Sequence, residues 1–94
     1  MTQENITPPR MIVCAANLVK GTIICGARHY DDIMRCQFKL LTDAYKHEDV
    51  IQGFIDQRGK FLTREEAWVI AEAAGQIIRR CGGDDGVLYS ENLY

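Results

Sequence analysis

The sequence predicts an α+β domain: a mainly antiparallel sheet of two hairpins with two helices on one side, assembled as an oligomer. Three observations point there. Two pairs of β-rich runs flank short turns at Lys20-Gly21 and Arg58-Gly59. Two further stretches carry apolar residues at three- and four-residue spacing. The third is size: 94 residues, 47% hydrophobic and 26% charged, suffice for one small core. Residues 1–9, polar and ending in Pro8-Pro9, read as a flexible lead-in, and 10–94 as a single domain.

The first hairpin runs from Arg10 to Arg28. A two-residue turn pairs Val19 with Thr22, Asn17 with Ile24, Ala15 with Gly26 and Val13 with Arg28. One face then carries Ile12, Cys14, Ala16, Leu18, Ile23, Cys25 and Ala27, which reads as core. The other carries Met11, Val13, Ala15, Asn17, Ile24, Gly26 and Arg28, too apolar for a solvated face, so a partner or a ligand should cover it.

A helix follows over Tyr30–Tyr45, with Ile33, Met34, Phe38, Leu41 and Tyr45 as its stripe, Leu40 and Ala44 widening it, and Asp31-Asp32 as its acidic cap. The second hairpin spans Val50–Leu62. Pairing Gln57 with Lys60 sets Asp56 opposite Phe61, Ile55 opposite Leu62 and Phe54 opposite Thr63, with Ile51, Gly53, Ile55 and Leu62 on the core face. Thr63-Arg64-Glu65-Glu66 is a capping box that opens a second helix, with Ala67, Ile70, Ala71, Ala74 and Ile77/Ile78 as the buried stripe and Trp68 off it. Cys81–Gly86 is expected to form a loop, and Val87–Tyr94 a short strand or docked tail.

Composition excludes several classes of function. A net charge of -2 does not suit a general DNA binder. The longest apolar stretch, Met11–Val19, is too short to span a bilayer, and the polar start is unlike a signal peptide, so a cytoplasmic protein is expected. Cys14, Cys25, Cys36 and Cys81 form no C-x-x-C pair; they read as buried free thiols, and no metal or other cofactor is expected. With neither disulfide nor metal to staple so short a chain, self-association is the natural remedy.

Catalytic constellations are weak. His29 and His47 lack a nucleophile partner, and Ser90 stands alone near the end of the sequence. The glycines of Cys81–Gly86 come with two aspartates that would repel a phosphate. No enzyme is expected. What remains is arginine beside aromatic: Arg28 at a strand end, Phe54 and Phe61 on the mixed face of the second hairpin, and Arg64 at a helix start that favours anions. The same residues also fit a plainer reading, with the rings as core or interface and the arginines solvated. Arg79-Arg80 read as favourable charge at a helix C-terminus.

Taken in order, Gly26-Ala27-Arg28-His29, Gln52-Gly53-Phe54, Phe61-Leu62-Thr63-Arg64-Glu65-Glu66-Ala67, Ala74-Gly75-Gln76 and Leu88-Tyr89-Ser90-Glu91-Asn92-Leu93 resemble a family of small phage proteins, the first Thoeris anti-defence family. The resemblance implies a non-catalytic sponge that sequesters cyclic ADP-ribose isomers, and in some relatives cyclic oligonucleotides, within dimers or larger assemblies. It implies Arg28 as a phosphate clamp and Phe54 as the adenine stacker, with Arg64 and Asn92 as further ligand groups. The partners expected are therefore a small cyclic nucleotide signal and further copies of the chain, with no DNA and no membrane. An alternative from another class is a protein–protein inhibitor of a host enzyme, acting through Trp68 and the helix faces.

Overall fold

Lys20 and Gly21 both take positive φ, 48° and 85°, the backbone of a type I′ turn whose twist matches that of paired strands. In the computed structural model, which describes residues 9–41, 47–80 and 86–94, this turn joins β1 (Ile12–Val19) to β2 (Thr22–Gly26). The pairs Val19–Thr22, Asn17–Ile24 and Ala15–Gly26 form as the sequence predicts. The second hairpin consists of β3 (Val50–Asp56) and β4 (Phe61–Thr63), and the four strands form one antiparallel sheet in the order β2-β1-β3-β4. The α+β class predicted from sequence is the class observed.

The second hairpin differs from its expected register by one residue: Ile55 pairs with Phe61, Phe54 with Leu62 and Gly53 with Thr63. Asp56 is the reason. Its Oδ1 accepts from the backbone N–H groups of Arg58 and Lys60, each at 2.9 Å, and its own N donates to Lys60 O at 3.1 Å. That arrangement closes a longer loop than the two-residue turn assumed. Because side chains alternate along a strand, the slip sends Leu62 to the side of Phe54 and Phe61 to the side of Ile55.

Helices α1 (Asp32–Lys39) and α2 (Arg64–Ala73) pack on one face of the sheet. Its buried residues include Ile12, Ala15, Asn17, Val19, Ile24, Phe54, Asp56 and Leu62. This corrects the expected core face: the helices cover the side of Ala15 and Ile24, not that of Cys14, Leu18 and Ile23. Apolar residues line both faces, so alternation alone does not choose between them. Close approach does. Asp31 Oδ1 occupies the place where a side chain on Gly26 would begin, and small Ala15 leaves room above β1.

Helix α1 starts on Asp31, whose Oδ1 accepts from Met34 N at 2.9 Å. Among the described residues of its stripe only Met34 is fully buried, while Ile33 is 62% and Leu40 78% exposed, so the stripe is narrower than predicted. Tyr45 lies outside the described residues, as do the lead-in through residue 8 and most of the loop after Arg80. The capping box at Thr63 and Glu66 forms as expected. Ala67, Trp68 and Ala71 are the buried residues of α2, and Gly75 at φ 70° follows its end. Trp68, 6% exposed and inside the core, was expected off the stripe. An inhibitor anchored on Trp68 therefore loses its anchor. Arg79 and Arg80 lie beyond the last turn of α2 and so do not act as its C-terminal charge.

The tail from Gly86 to Tyr94 docks rather than adding a strand. Leu88 and Leu93 enter the core, Leu88 N donates to Arg64 O at 3.0 Å, and Ile78 N donates to Asn92 O at 2.8 Å. A 3-10 turn spans Ser90–Asn92.

Candidate functional site

β2 ends at Gly26, and the chain from Ala27 to Asp31 doubles back to enter α1. Arg28 N donates to Asp31 Oδ2 at 3.2 Å, which fixes the loop from within. Tyr30 completes it at φ 60°, a left-handed conformation that costs a non-glycine residue about 1–2 kcal/mol. Its ring stacks on Phe38 with centroids 5.8 Å apart, and packing of this kind offsets part of that cost. The loop thereby sends His29 inward and Arg28 toward the tail.

His29 crosses β1 and places Nε2 2.8 Å from Gly53 O, so the neutral ring carries its proton on Nε2. Its ring meets Phe54 edge-on, centroids 5.1 Å apart. Burial first, and then the charge of Arg64, lower its pKa below that of free imidazole. Gly53 is required here for a different reason: a methyl group would collide with Leu62 O and the Phe61 ring.

Arg64, the first residue of α2, is the centre of the arrangement. Nη1 donates to Leu88 O at 2.8 Å and Nη2 to Gln52 Oε1 at 2.6 Å. The guanidinium lies 4.8 Å from the Tyr89 ring centroid and 5.9 Å from that of Phe54. Both hydrogen-bond partners are neutral, and among the described residues no carboxylate pairs with it. Burial lowers its pKa, with Tyr89, Glu91, Tyr30 and Glu65 opposing that shift. A half-buried cation held only by neutral groups favours an anion.

Arg28 grips the same tail from the other side. Nη2 donates to Tyr94 O, and the guanidinium lies 5.4 Å from the Tyr94 ring centroid. Its Nη1 is buried without a hydrogen-bond partner, 3.7 Å from Glu91 Oε2. Deeper in the layer, Asn17 is fully buried beside its cross-strand neighbours Ile24 and Gln52, and neither amide atom has a partner.

Of the four residues expected from sequence, the fold thus brings Arg64 onto Phe54 and sets Arg28 against the tail that contains Asn92. Their roles differ. Phe54 is fully buried and lies on the core face, a correction to its expected non-core position, so it walls the site beneath Arg64 and offers no open ring face. Asn92 is 1% exposed; its Nδ2 donates to Arg79 O at 3.0 Å and its Oδ1 accepts from Tyr89 N at 2.7 Å, which shapes the tail. Sequence reasoning missed Tyr30 and Tyr89. Tyr30 directly follows the Arg28-His29 pair and Tyr89 lies within the Leu88–Leu93 element, and that adjacency was the available signal.

A separate cavity of about 300 Å³ lies beyond α2, lined by Glu72, Gly75, Ile77, Ile78, Arg79 and Arg80. Arg79 Nη1 donates to Glu91 O at 2.9 Å, and Arg80 lies over the Trp68 ring. No metal-holding group of three or more His, Cys, Asp or Glu side chains occurs among the described residues. A family model described as Phage T4 y16D protein matches residues 11–94, from the lead into β1 through the tail. The searches of curated proteins and of solved structures gave no match.

Proposed function

The chain belongs to the phage T4 y16D protein family, and from that premise we propose that it binds a small anionic nucleotide signal in the infected host and withholds it without cleaving it. The half-buried Arg64 guanidinium, with no carboxylate partner among the described residues, carries this reading. Arg28 Nη1, without a hydrogen-bond partner and 3.7 Å from Glu91 Oε2, adds a second donor for a phosphate oxygen. Tyr30, exposed at 36%, and Tyr89 beside Arg64 supply rings against which a base stacks, a contact worth about 1–3 kcal/mol per base. Phe54 then backs Arg64, and Asn92 keeps the tail in position.

The resemblance to Thoeris anti-defence proteins makes cyclic ADP-ribose isomers the first ligands to try, with cyclic oligonucleotides second. The protein acts in the host bacterial cytoplasm, as a homodimer or larger assembly, without DNA or membrane partners. A thermal-shift screen against both ligand classes, followed by recovery of the ligand after heat denaturation, tests the reading. A stabilising ligand recovered intact supports a sponge. A cleaved product points to a phosphodiesterase-type enzyme instead, and no shift with either class contradicts the proposal.

A further inference from the structure

Asn17 sits within β1 on the helix-covered face of the sheet and is fully buried. Among the described residues nothing donates to its Oδ1 or accepts from its Nδ2. Its place in the sheet connects it to the candidate site. Ile24, Asn17 and Gln52 form one row across the strands, and Gln52 Oε1 accepts from Arg64 Nη2 at 2.6 Å. A polar strip therefore runs from Arg64 through Gln52 to Asn17, between two apolar rows, Val19–Val50 and Ala15–Phe54. Helix α1 packs chiefly over β2, and α2 over β3 and β4, so the middle of β1 lies at the seam between them.

An orphaned amide in a sheet interior lowers stability, and an apolar side chain of its size would avoid the loss. A group that weakens the free protein, at the far end of a strip that begins at Arg64, is suited to a ligand. The amide also has a definite chemistry. It presents one donor beside one acceptor in a plane, which matches the edge of adenine, where the 6-amino group donates and N7 accepts. Guanine offers two acceptors at the same edge.

We propose that Asn17 reads the base of the nucleotide, its amide taking the N6 and N7 edge of an adenine while Arg64 holds a phosphate. The inference rests on the nucleotide reading above and adds to it the residue that selects the base. Arg64 directly follows β4, which sets it two strand spacings from Asn17, about 10 Å. One nucleotide spans that separation from phosphate to base edge. Tyr30, stacked on Phe38 of α1, lies on the side where its ring can flank the base. Entry parts the helices at the seam. Helix α1 has eight residues, of which only Met34 is fully buried, so it opens at little cost. A base without the matching donor leaves the buried amide unpaired, and sites built in this way discriminate strongly.

Calorimetric titration of the full chain tests this with cyclic ADP-ribose isomers and cyclic di-AMP. Each is run beside its hypoxanthine counterpart, in which the 6-amino donor becomes a 6-oxo acceptor. The proteins are the parent, Asn17→Leu, Asn17→Ala and Arg64→Gln, with thermal melts confirming that each is folded. The parent should bind an adenine ligand at least tenfold tighter than its counterpart. Both Asn17 variants should bind that ligand at least tenfold more weakly and lose the preference, whereas Arg64→Gln should bind more weakly and keep it. Asn17 variants that bind like the parent, with Arg64→Gln impaired, overturn this inference and leave the nucleotide reading standing; the amide then serves the fold alone. Equal binding of the two bases by the parent overturns it in the same way. A loss in Asn17→Leu that Asn17→Ala does not share is steric, and it too overturns the inference. A parent that binds none of these ligands overturns both readings.

Discussion

Gln76 brackets Ile12 across the domain: its Oε1 accepts from Ile12 N and its Nε2 donates to Ile12 O, each at 2.8 Å. One side chain beyond α2 thus completes the hydrogen bonding of the residue that opens β1. Gly75, at φ 70°, makes the turn that brings Gln76 there. Gln57 does the same further out, accepting from Met11 N at 2.9 Å and donating to Pro9 O at 2.8 Å. The Ala74-Gly75-Gln76 element is therefore a clasp between helix and sheet. Gln76→Ala should cost about 2 kcal/mol, because both Ile12 backbone groups are left unpaired in a part-buried place. Gln76→Glu should not rescue it, since a carboxylate faces Ile12 O. Urea midpoints of the three proteins check this.

Asn17 invites the opposite experiment. An unsatisfied amide in a sheet interior costs about 1–3 kcal/mol, and a leucine of similar volume removes that cost. Asn17→Leu should stabilise the free protein by about 1 kcal/mol or more. A loss of stability would show that the amide is hydrogen-bonded in solution.

His29 sets a pH dependence with a definite sign. Its folded pKa lies below the 6.5 of free imidazole, so the unfolded chain binds that proton more tightly. The stability it contributes is whole above pH ~6.5 and is lost as pH falls through the folded value. Asp31 and Asp56, both depressed chiefly by backbone N–H groups, add a separate loss below about pH 4. Melting temperature should therefore fall between pH 7.5 and 5.5, and the fall should be smaller in His29→Gln.

Trp68 and Val69 are neighbours with opposite expected effects. Trp68 is 6% exposed and Val69 65%. Trp68→Ala should cost about 3–5 kcal/mol as a core truncation, while Val69→Ala should stay within ~0.5 kcal/mol. Equal, small effects would return Trp68 to the surface and revive the protein-inhibitor alternative.

The parts of the fold legible in the sequence were those fixed by local chemistry. Lys20-Gly21 specifies its turn through positive φ, and Thr63 with Glu66 specifies the start of α2. Asp31 caps α1 as read. What escaped was set by contacts distant in sequence. Asp56 lengthens the second turn and slips its register, which no pattern of alternation reveals. The core face is chosen by the close approach of Asp31 to Gly26 and by the path of His29 to Gly53. For the candidate site, Arg28 and Arg64 stand out in the sequence because arginine beside aromatics is a chemical signal wherever it folds. The places of Phe54 and Asn92 depend on burial, which the sequence does not display: one ring lies beneath Arg64, and one amide is spent on Arg79 and Tyr89.

The central claim is that Arg64 and Arg28 hold an anionic nucleotide, and a calorimetric titration tests it most directly. Cyclic ADP-ribose isomers, and then cyclic oligonucleotides, are titrated into the parent, Arg64→Gln and Arg28→Gln, with thermal melts confirming that each is folded. The account expects saturable binding by the parent and at least a tenfold weaker Kd in each variant, about 1.4 kcal/mol or more per lost contact. At 100 times Kd the bound ligand should raise the parent's stability by about 2.7 kcal/mol. Parent and variants binding alike would contradict the site, and a parent that binds neither class would contradict the function.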